Sequence, residues 1–142
     1  ELTETVIINN VDIINTIMEI KNLGIRFALD DFGTGNSSIS YLKKLPLDRL
    51  KIDKSFIDQI ESKGSDEIIV KAIISMANSM KLDVLAEGVE TQKQLEALQD
   101  KNCFNIQGYY FSKPLEPSEL ETFFRQHQAE TERAAQEKRG KV

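Results

Sequence analysis

Short apolar segments and amphipathic helical patterns alternate along this chain, and the alternation limits its fold more than any other feature. Segments with a strand-like pattern occupy residues 2–5, 25–30, 47–52, 82–87 and 104–108. Helical periodicity separates them, and one such stretch places Ile69, Ile73, Met76 and Met80 on one side. Alternating strands and helices are typical of a parallel sheet covered by helices. The sequence therefore predicts an α/β domain with about five parallel strands.

The number of strands leaves two architectures open. A closed (β/α)8 barrel needs about 250 residues, whereas this chain has 142, so it forms either an open sheet or part of a barrel. Glu1 to Glu4 already resemble the middle of a strand and a site, which favours a partial TIM-like barrel. Residues 118–142 are expected to add a final helix and a solvated helical tail. The expected helix start is a capping box at Ser118 to Glu121.

Two adjacent carboxylates, Asp30 and Asp31, end an apolar strand and precede the glycine-rich turn Gly33-Thr34-Gly35. Acids at the end of a buried strand are costly unless positive charge lies beside them. Carboxylate oxygens suit hard cations such as Mg²⁺ or Mn²⁺. The alternative is a solvated turn, in which Asp and Gly are both common. The pair is therefore a candidate metal site.

Polar residues end the other predicted strands as well. They are Glu4, Lys51, Glu87 and Gln107. In parallel barrels the chemistry collects at the carboxyl ends of strands, donated by several strands in turn. We therefore expect these side chains to form one rim with the aspartate pair. The alternative is an unrelated α/β protein whose rim acids serve only surface electrostatics.

Composition excludes several classes of function. The formal net charge of -5 does not indicate DNA binding, and no apolar run is long enough to span a membrane. The single cysteine, Cys103, excludes an internal disulfide and is expected to be a buried thiol in the cytoplasm. The only histidine, His127, is expected to be a surface or packing residue, which argues against a histidine-rich zinc site.

Five motifs, taken in order, resemble the carboxyl-terminal part of an EAL domain across residues 1–117. They are Glu1-Leu2-Thr3-Glu4-Thr5, Asp30-Asp31-Phe32-Gly33-Thr34-Gly35, Leu50-Lys51-Ile52-Asp53, Ala86-Glu87-Gly88-Val89-Glu90-Thr91 and the stretch from Gln107 to Leu115. EAL domains are bacterial phosphodiesterases that hydrolyse cyclic di-GMP to the linear dinucleotide. The resemblance implies a modified TIM barrel with a two-metal site for Mg²⁺ or Mn²⁺.

The resemblance also implies roles for individual residues. Those that resemble the metal ligands of the family are Glu4, Asp30, Asp31 and Glu87. Those that resemble its catalytic residues are Lys51, Glu87 and Gln107. Those that resemble its substrate-binding residues and mobile loop are Glu90, Gly33, Gly35 and Ser37. Asn36 and Asn102 replace an aromatic residue and a glycine of the family pattern.

The glutamate-alanine-leucine signature and the asparagine ligand of the family belong to its first strands, which would precede Glu1, so this sequence does not include them; the tripeptide Glu96-Ala97-Leu98 lies in a predicted helix and is not that signature. We therefore expect a fragment, inactive alone, of a parent that carries roughly 110 further barrel residues and is fused to sensory or diguanylate cyclase domains. The alternative is a non-catalytic EAL domain that acts as a cyclic di-GMP receptor or protein-interaction module. Open sheet edges predict a homo-oligomer. So do unpacked inward side chains, expected at Ile25, Phe27, Leu29, Ile52, Leu85 and Ile106.

Overall fold

The computed structural model describes residues 1–3, 13–33, 42–62 and 64–139, with the backbone alone for residues 62 and 129–139. The chain divides into two compact units, Glu1–Phe111 and Ser112–Val142. The sequence placed the end of the α/β part at residue 117. No helix in the described ranges is both long and apolar enough to cross a lipid bilayer.

The first unit is a parallel five-stranded sheet with helices between its strands, which confirms the predicted α/β class. The strands are β1 (Leu2–Thr3), β2 (Ala28–Phe32), β3 (Arg49–Ile52), β4 (Asp83–Ala86) and β5 (Asn105–Ile106). Its described α-helices are α1 (Ile13–Lys21), α2 (Lys54–Asp58), α3 (Ser65–Ser79) and α4 (Gln92–Gln99), and a 3-10 helix spans Ile60–Ser62. Strands neighbour each other in chain order, β1-β2-β3-β4-β5, and each pair is parallel. This is the strand order of part of a (β/α)8 barrel.

Alternation along the strands sends the large apolar side chains into one buried cluster with the helices. Leu29, Leu50 and Ile52 are at most 1% exposed and share this cluster with Ile17 of α1 and Val70 of α3. The expectation that Leu29 and Ile52 would lie on an unpacked inward face was therefore wrong. Because successive strand side chains point to opposite faces, the residues between them, such as Lys51, occupy the other face.

Helix α3 buries only part of the stripe that the sequence predicted. Ile73 is buried as predicted, and Met76 and Met80 pack against the core. The buried residues of α3 are Val70, Ile73, Ile74 and Ala77, whereas Ile69 is 39% exposed. The run Ile68-Ile69-Val70 is apolar at every position, so periodicity alone does not decide which of the three faces inward. Packing against the sheet selects Val70.

Capping interactions fix where several elements begin. The predicted capping box at Thr91 and Gln94 is confirmed at the start of α4. Asp53 caps α2, a short helix that the sequence did not predict, by accepting a hydrogen bond from the Ser55 amide at 3.0 Å. Cys103 is buried, as predicted, and burial raises the pKa of its thiol to about 11.

The second unit contains one long helix, α5 (Pro117–Arg139). The predicted helix start at Ser118 was wrong. Pro117 takes the first helical position, where a missing N–H costs nothing. Glu119 then reaches back to accept a hydrogen bond from the Glu116 amide at 3.2 Å. The His127 ring stacks on Phe123 along this helix, in agreement with its predicted packing role.

Candidate functional site

Three carboxylates converge on the ammonium group of Lys51. Lys51 Nζ lies 2.8 Å from Glu87 Oε1, 3.0 Å from Asp30 Oδ1 and 3.0 Å from Glu1 Oε1. Lys51 lies in β3, Asp30 in β2, and Glu87 directly after β4. Asp30 and Glu87 are separated from Lys51 by 21 and 36 positions along the chain, and the parallel register brings all three together, as the predicted rim required.

Burial makes this cluster electrostatically strong. Lys51 is only 6% exposed, so its charge must be paired. Burial by itself lowers the pKa of Lys51, but hydrogen bonds from Lys51 to Glu87, Asp30 and Glu1 raise it above its ordinary value. Three carboxylates around one ammonium group leave an excess of negative charge. The cluster can therefore accept further positive charge.

The chemistry of the carboxylates fits a hard divalent cation, since Asp30 and Glu87 are half-buried oxygen donors that already share a cation. Within the ranges that the structure describes, no group of three or more Asp, Glu, His or Cys side chains is arranged to hold a metal ion. The predicted ligand Glu4 lies outside those ranges. Of the predicted metal ligands, Asp30 and Glu87 are therefore the two that the described structure brings together.

The structure separates the two aspartates. Asp30 faces Lys51, whereas Asp31 is exposed and adopts the left-handed conformation with φ 54°. The pairing of β2 with β3 shifts register between Leu29 and Phe32, and the Asp31 amide donates a hydrogen bond to Asp30 Oδ1 at 3.1 Å. Left-handed backbone is strained for a residue other than glycine and is concentrated at functional sites. The strand also continues past its predicted end at Asp30.

Backbone hydrogen bonds to β3 and to the residue after β5 hold the turn that begins with Glu87. The Glu87 amide donates to Ile52 O at 3.1 Å, and the Val89 amide donates to Gln107 O at 3.1 Å. Gln107 is thereby held beside the same turn by its backbone, with its side chain exposed. Gly108 approaches the Val89 backbone so closely that an added Cβ would lie 2.7 Å from Val89 C. The turn after β4 and the end of β5 therefore form one closely packed corner, joined by a backbone hydrogen bond.

The remaining predicted site residues fall into two groups. Gly33 is described and has φ 97°, and a Cβ there would lie 2.9 Å from the Phe56 ring. Glu90 pairs with Lys54 at 2.9 Å. Gly35 and Ser37 lie outside the described ranges.

Sequence reasoning assigned no role to the side chains of Glu1 and Lys54. Glu1 precedes Thr3 by two positions, so strand alternation places both on one face, and Thr3 is the register partner of Asp30. That alternation is a signal that could have identified Glu1. Lys54 follows Asp53 at the start of α2, and no sequence pattern marks its contact with Glu90.

A family model described as EAL domain matches residues 1–114. The chain is 47% identical over 126 residues to the cyclic di-GMP phosphodiesterase NbdA of Pseudomonas aeruginosa, and 46% identical over 124 residues to the signaling protein YkoW of Bacillus subtilis. These matches cover 88% and 87% of this chain but 16% of each relative.

Solved structures agree with this match. The EAL domain of Mycobacterium smegmatis DcpA superposes with a TM-score of 0.80 at 40% identity, covering 87% of this chain and 56% of that one. The phosphodiesterase PaMucR, solved in complex with c-di-GMP, superposes with a TM-score of 0.78 at 36% identity, covering 84% and 49%. The five strands therefore correspond to part of a larger fold in both structures.

Proposed function

The chain belongs to the EAL domain family, and we propose from this premise that the complete protein hydrolyses cyclic di-GMP to the linear dinucleotide with Mg²⁺ or Mn²⁺. The observation that carries the proposal is the convergence of Asp30 and Glu87 on Lys51 at the carboxyl ends of parallel strands. The name of NbdA and the c-di-GMP complex of PaMucR support the choice of substrate.

The charge of the cluster supports metal dependence. A phosphodiester is an anion, and an excess of carboxylates beside Lys51 would repel it unless further positive charge is bound. When bound, divalent ions would supply a water nucleophile at neutral pH and Lewis acidity at the phosphate. Asp30 and Glu87 would hold these ions, and we propose Glu4 and Asp31 as the further ligands of a two-metal site.

Lys51 is proposed to act on the reacting phosphate or on the attacking water. Its ammonium group is a compact charge held in place by acids from three directions. A preorganised charge of this kind stabilises negative charge as it develops, because little reorganisation is needed at the moment of reaction. Gln107, held by its backbone beside Glu87, is proposed to order water at the same place. Glu90 is proposed to lie near the substrate, and the loop containing Gly33, Gly35 and Ser37 is proposed to contact or enclose it.

The other proposals concern the parent protein. The curated relatives are about six times as long as their matched segment, which supports a parent with additional sensory or cyclase domains. We also propose that the protein works in the cytoplasm, where cyclic di-GMP would be its ligand.

The test is a metal-dependence assay on the complete protein. We expect the linear dinucleotide to form from cyclic di-GMP with Mn²⁺ or Mg²⁺ and not after treatment with a chelator. Binding of cyclic di-GMP without turnover under every metal condition would show instead a nucleotide receptor. Absence of both binding and turnover would reject the function altogether.

A further inference from the structure

The side chain of Lys54 lies flat across Gly88, in the turn that follows β4. A Cβ added to Gly88 would lie 2.6 Å from Lys54 Cβ and 2.7 Å from Lys54 Cδ. Gly88 has φ 71°, a conformation that other residues rarely adopt. Glycine at this position therefore allows the lysine stem to cover the turn directly.

The ammonium group of Lys54 extends this contact to Glu90 in the turn and to Asp58 in α2. Lys54 Nζ lies 2.9 Å from Glu90 Oε1 and 2.8 Å from Asp58 Oδ1. Asp58 belongs to the same helix, α2, as Lys54, whereas Glu90 lies 36 positions along the chain. The lysine thus connects the start of α2 to the far end of the turn that contains Glu87.

Hydrogen bonds donated by two backbone amides hold the ends of the turn. The Glu87 amide donates to Ile52 O, and the Glu90 amide donates to Gln94 Oε1 at 2.8 Å. These bonds fix the two ends of the segment. Gly88 between them has the widest conformational freedom, and Lys54 is the side chain that covers it.

We propose that Lys54 is a positioning residue, which holds the turn from Gly88 to Glu90 so that the Glu87 carboxylate stays at Lys51. Glu90 acts through Lys54 in this arrangement. The inference deepens the proposed phosphodiesterase function and rests on it. It also replaces direct substrate contact as the role of Glu90.

Because the pair is exposed, its effect on catalysis can be measured apart from its effect on stability. The side chains of Lys54 and Glu90 are 44% and 45% exposed, and exposed ion pairs contribute little to the free energy of unfolding. Misplacing a catalytic group by a small distance can nevertheless reduce turnover strongly. Variants of this pair should therefore change kcat while leaving thermal unfolding nearly unchanged.

The first experiment compares lysine variants in the complete protein with Mn²⁺. Lys54→Ala should lower kcat about three- to tenfold at an unchanged KM, and Lys54→Arg should restore it. Lys54→Met, which keeps the stem over Gly88 but removes the charge, should give an intermediate value. Arg125→Ala is the control, since it disrupts an exposed i,i+4 pair within α5, outside the compact unit that contains the turn. An equal loss of kcat in the control would overturn the inference.

The second experiment is a double-mutant cycle of Lys54→Met with Glu90→Gln. If Glu90 acts through Lys54, the double variant should lose no more kcat than either single variant. A rise in KM with Glu90→Gln, additive with Lys54→Met, would mean that Glu90 contacts the substrate and that the inference is wrong.

Hydrogen exchange provides a readout that is independent of activity. Lys54→Ala should speed exchange in the segment 87–91, including the Val89 amide, and Arg125→Ala should not. If Lys54→Ala speeds exchange but the complete protein does not hydrolyse cyclic di-GMP, the positioning role of Lys54 stands and only the proposed reaction is rejected. Unchanged exchange together with unchanged kcat would reject the positioning role itself.

Discussion

Lys51 Nζ and Glu87 Oε1 are 2.8 Å apart, although the two residues are 36 positions apart along the chain. Lys51 is buried within β3, and Glu87 follows the last residue of β4. The distance depends on parallel pairing in register, in which Lys51 is the partner of Leu85. A shift of one residue would turn either side chain to the opposite face of the sheet.

Lys51→Met should lower turnover by about 10²- to 10³-fold, because a preorganised charge at the reacting group is lost. The methionine stem can still pack in the same space. Lys101→Met is a matched control, since the Lys101 side chain is 9% exposed and its ammonium group lies 2.9 Å from Glu67 Oε1, in an ion pair that is not part of the site. We expect similar losses of thermal stability in both variants but loss of turnover in Lys51→Met alone. Equal activities would indicate that Lys51 is only a structural ion pair.

Asp30→Asn should weaken Mn²⁺ binding and abolish Mn²⁺-dependent hydrolysis in the complete protein, while the fold stays intact. Removing one carboxylate leaves an amide oxygen, a weaker ligand for a hard cation. Titration calorimetry with Mn²⁺ measures the affinity directly, and Asp100→Asn at the end of α4 serves as a control. Near wild-type affinity and turnover in Asp30→Asn would remove this residue from the metal site.

Gly108→Ala should lower turnover by displacing the Val89 backbone, against which an added Cβ would lie. The shift would move the corner that holds Glu87 and Gln107. Overpacking of this kind costs about 1–3 kcal/mol of stability. Gly24→Ala is the control. Gly24 has φ 84°, so the alanine strains the backbone and lowers stability, but nothing lies within 4 Å of the added Cβ, so the variant displaces no neighbouring group. Loss of activity in both variants at matched stability would contradict the argument.

Asp48 should make folding stability dependent on pH in acid. Burial tends to raise the pKa of Asp48, but hydrogen bonds from Lys21 Nζ and the Phe27 amide, both at 2.7 Å, lower it below 3.8. Since the carboxylate form is favoured by folding, its contribution is fully present well above pH 3.8. The contribution is lost as the pH falls below 3.8 through the lowered folded-state pKa.

Asp48→Asn should therefore lower the free energy of unfolding by about 1 kcal/mol at pH 7 and by much less at pH 2. Urea denaturation at both pH values measures the difference. Lys21→Met should remove part of the same pH dependence, because it removes one of the two donors. A deficit in Asp48→Asn that stays constant between pH 7 and pH 2 would refute the linkage.

A polypeptide of residues 1–142 made on its own should associate with itself and hydrolyse little or no cyclic di-GMP. In the described sheet, β1 and β5 each pair with a single neighbour, and unpaired strand edges invite association. Light scattering after size exclusion measures the mass, and a turnover assay runs beside it. A monomer with full activity would contradict both expectations.

The sequence by itself determined the α/β class, the order of the elements and the polar positions at strand ends. Alternation of strand and helix patterns allows few topologies, and the carboxyl ends of parallel strands must meet at one edge. Asp30, Lys51 and Glu87 were found in this way. The capping box at Thr91 was found because its pattern is local.

Tertiary structure alone decided which face of each element is buried and which side chains meet. In the apolar run Ile68-Ile69-Val70, Val70 rather than Ile69 is buried because only one face of α3 packs against the sheet. Asp30 and Asp31 diverge because the register between β2 and β3 shifts at that place. Lys54 meets Glu90 because α2 starts beside the turn after β4, and a contact between residues so distant in sequence leaves no periodic signal along the chain.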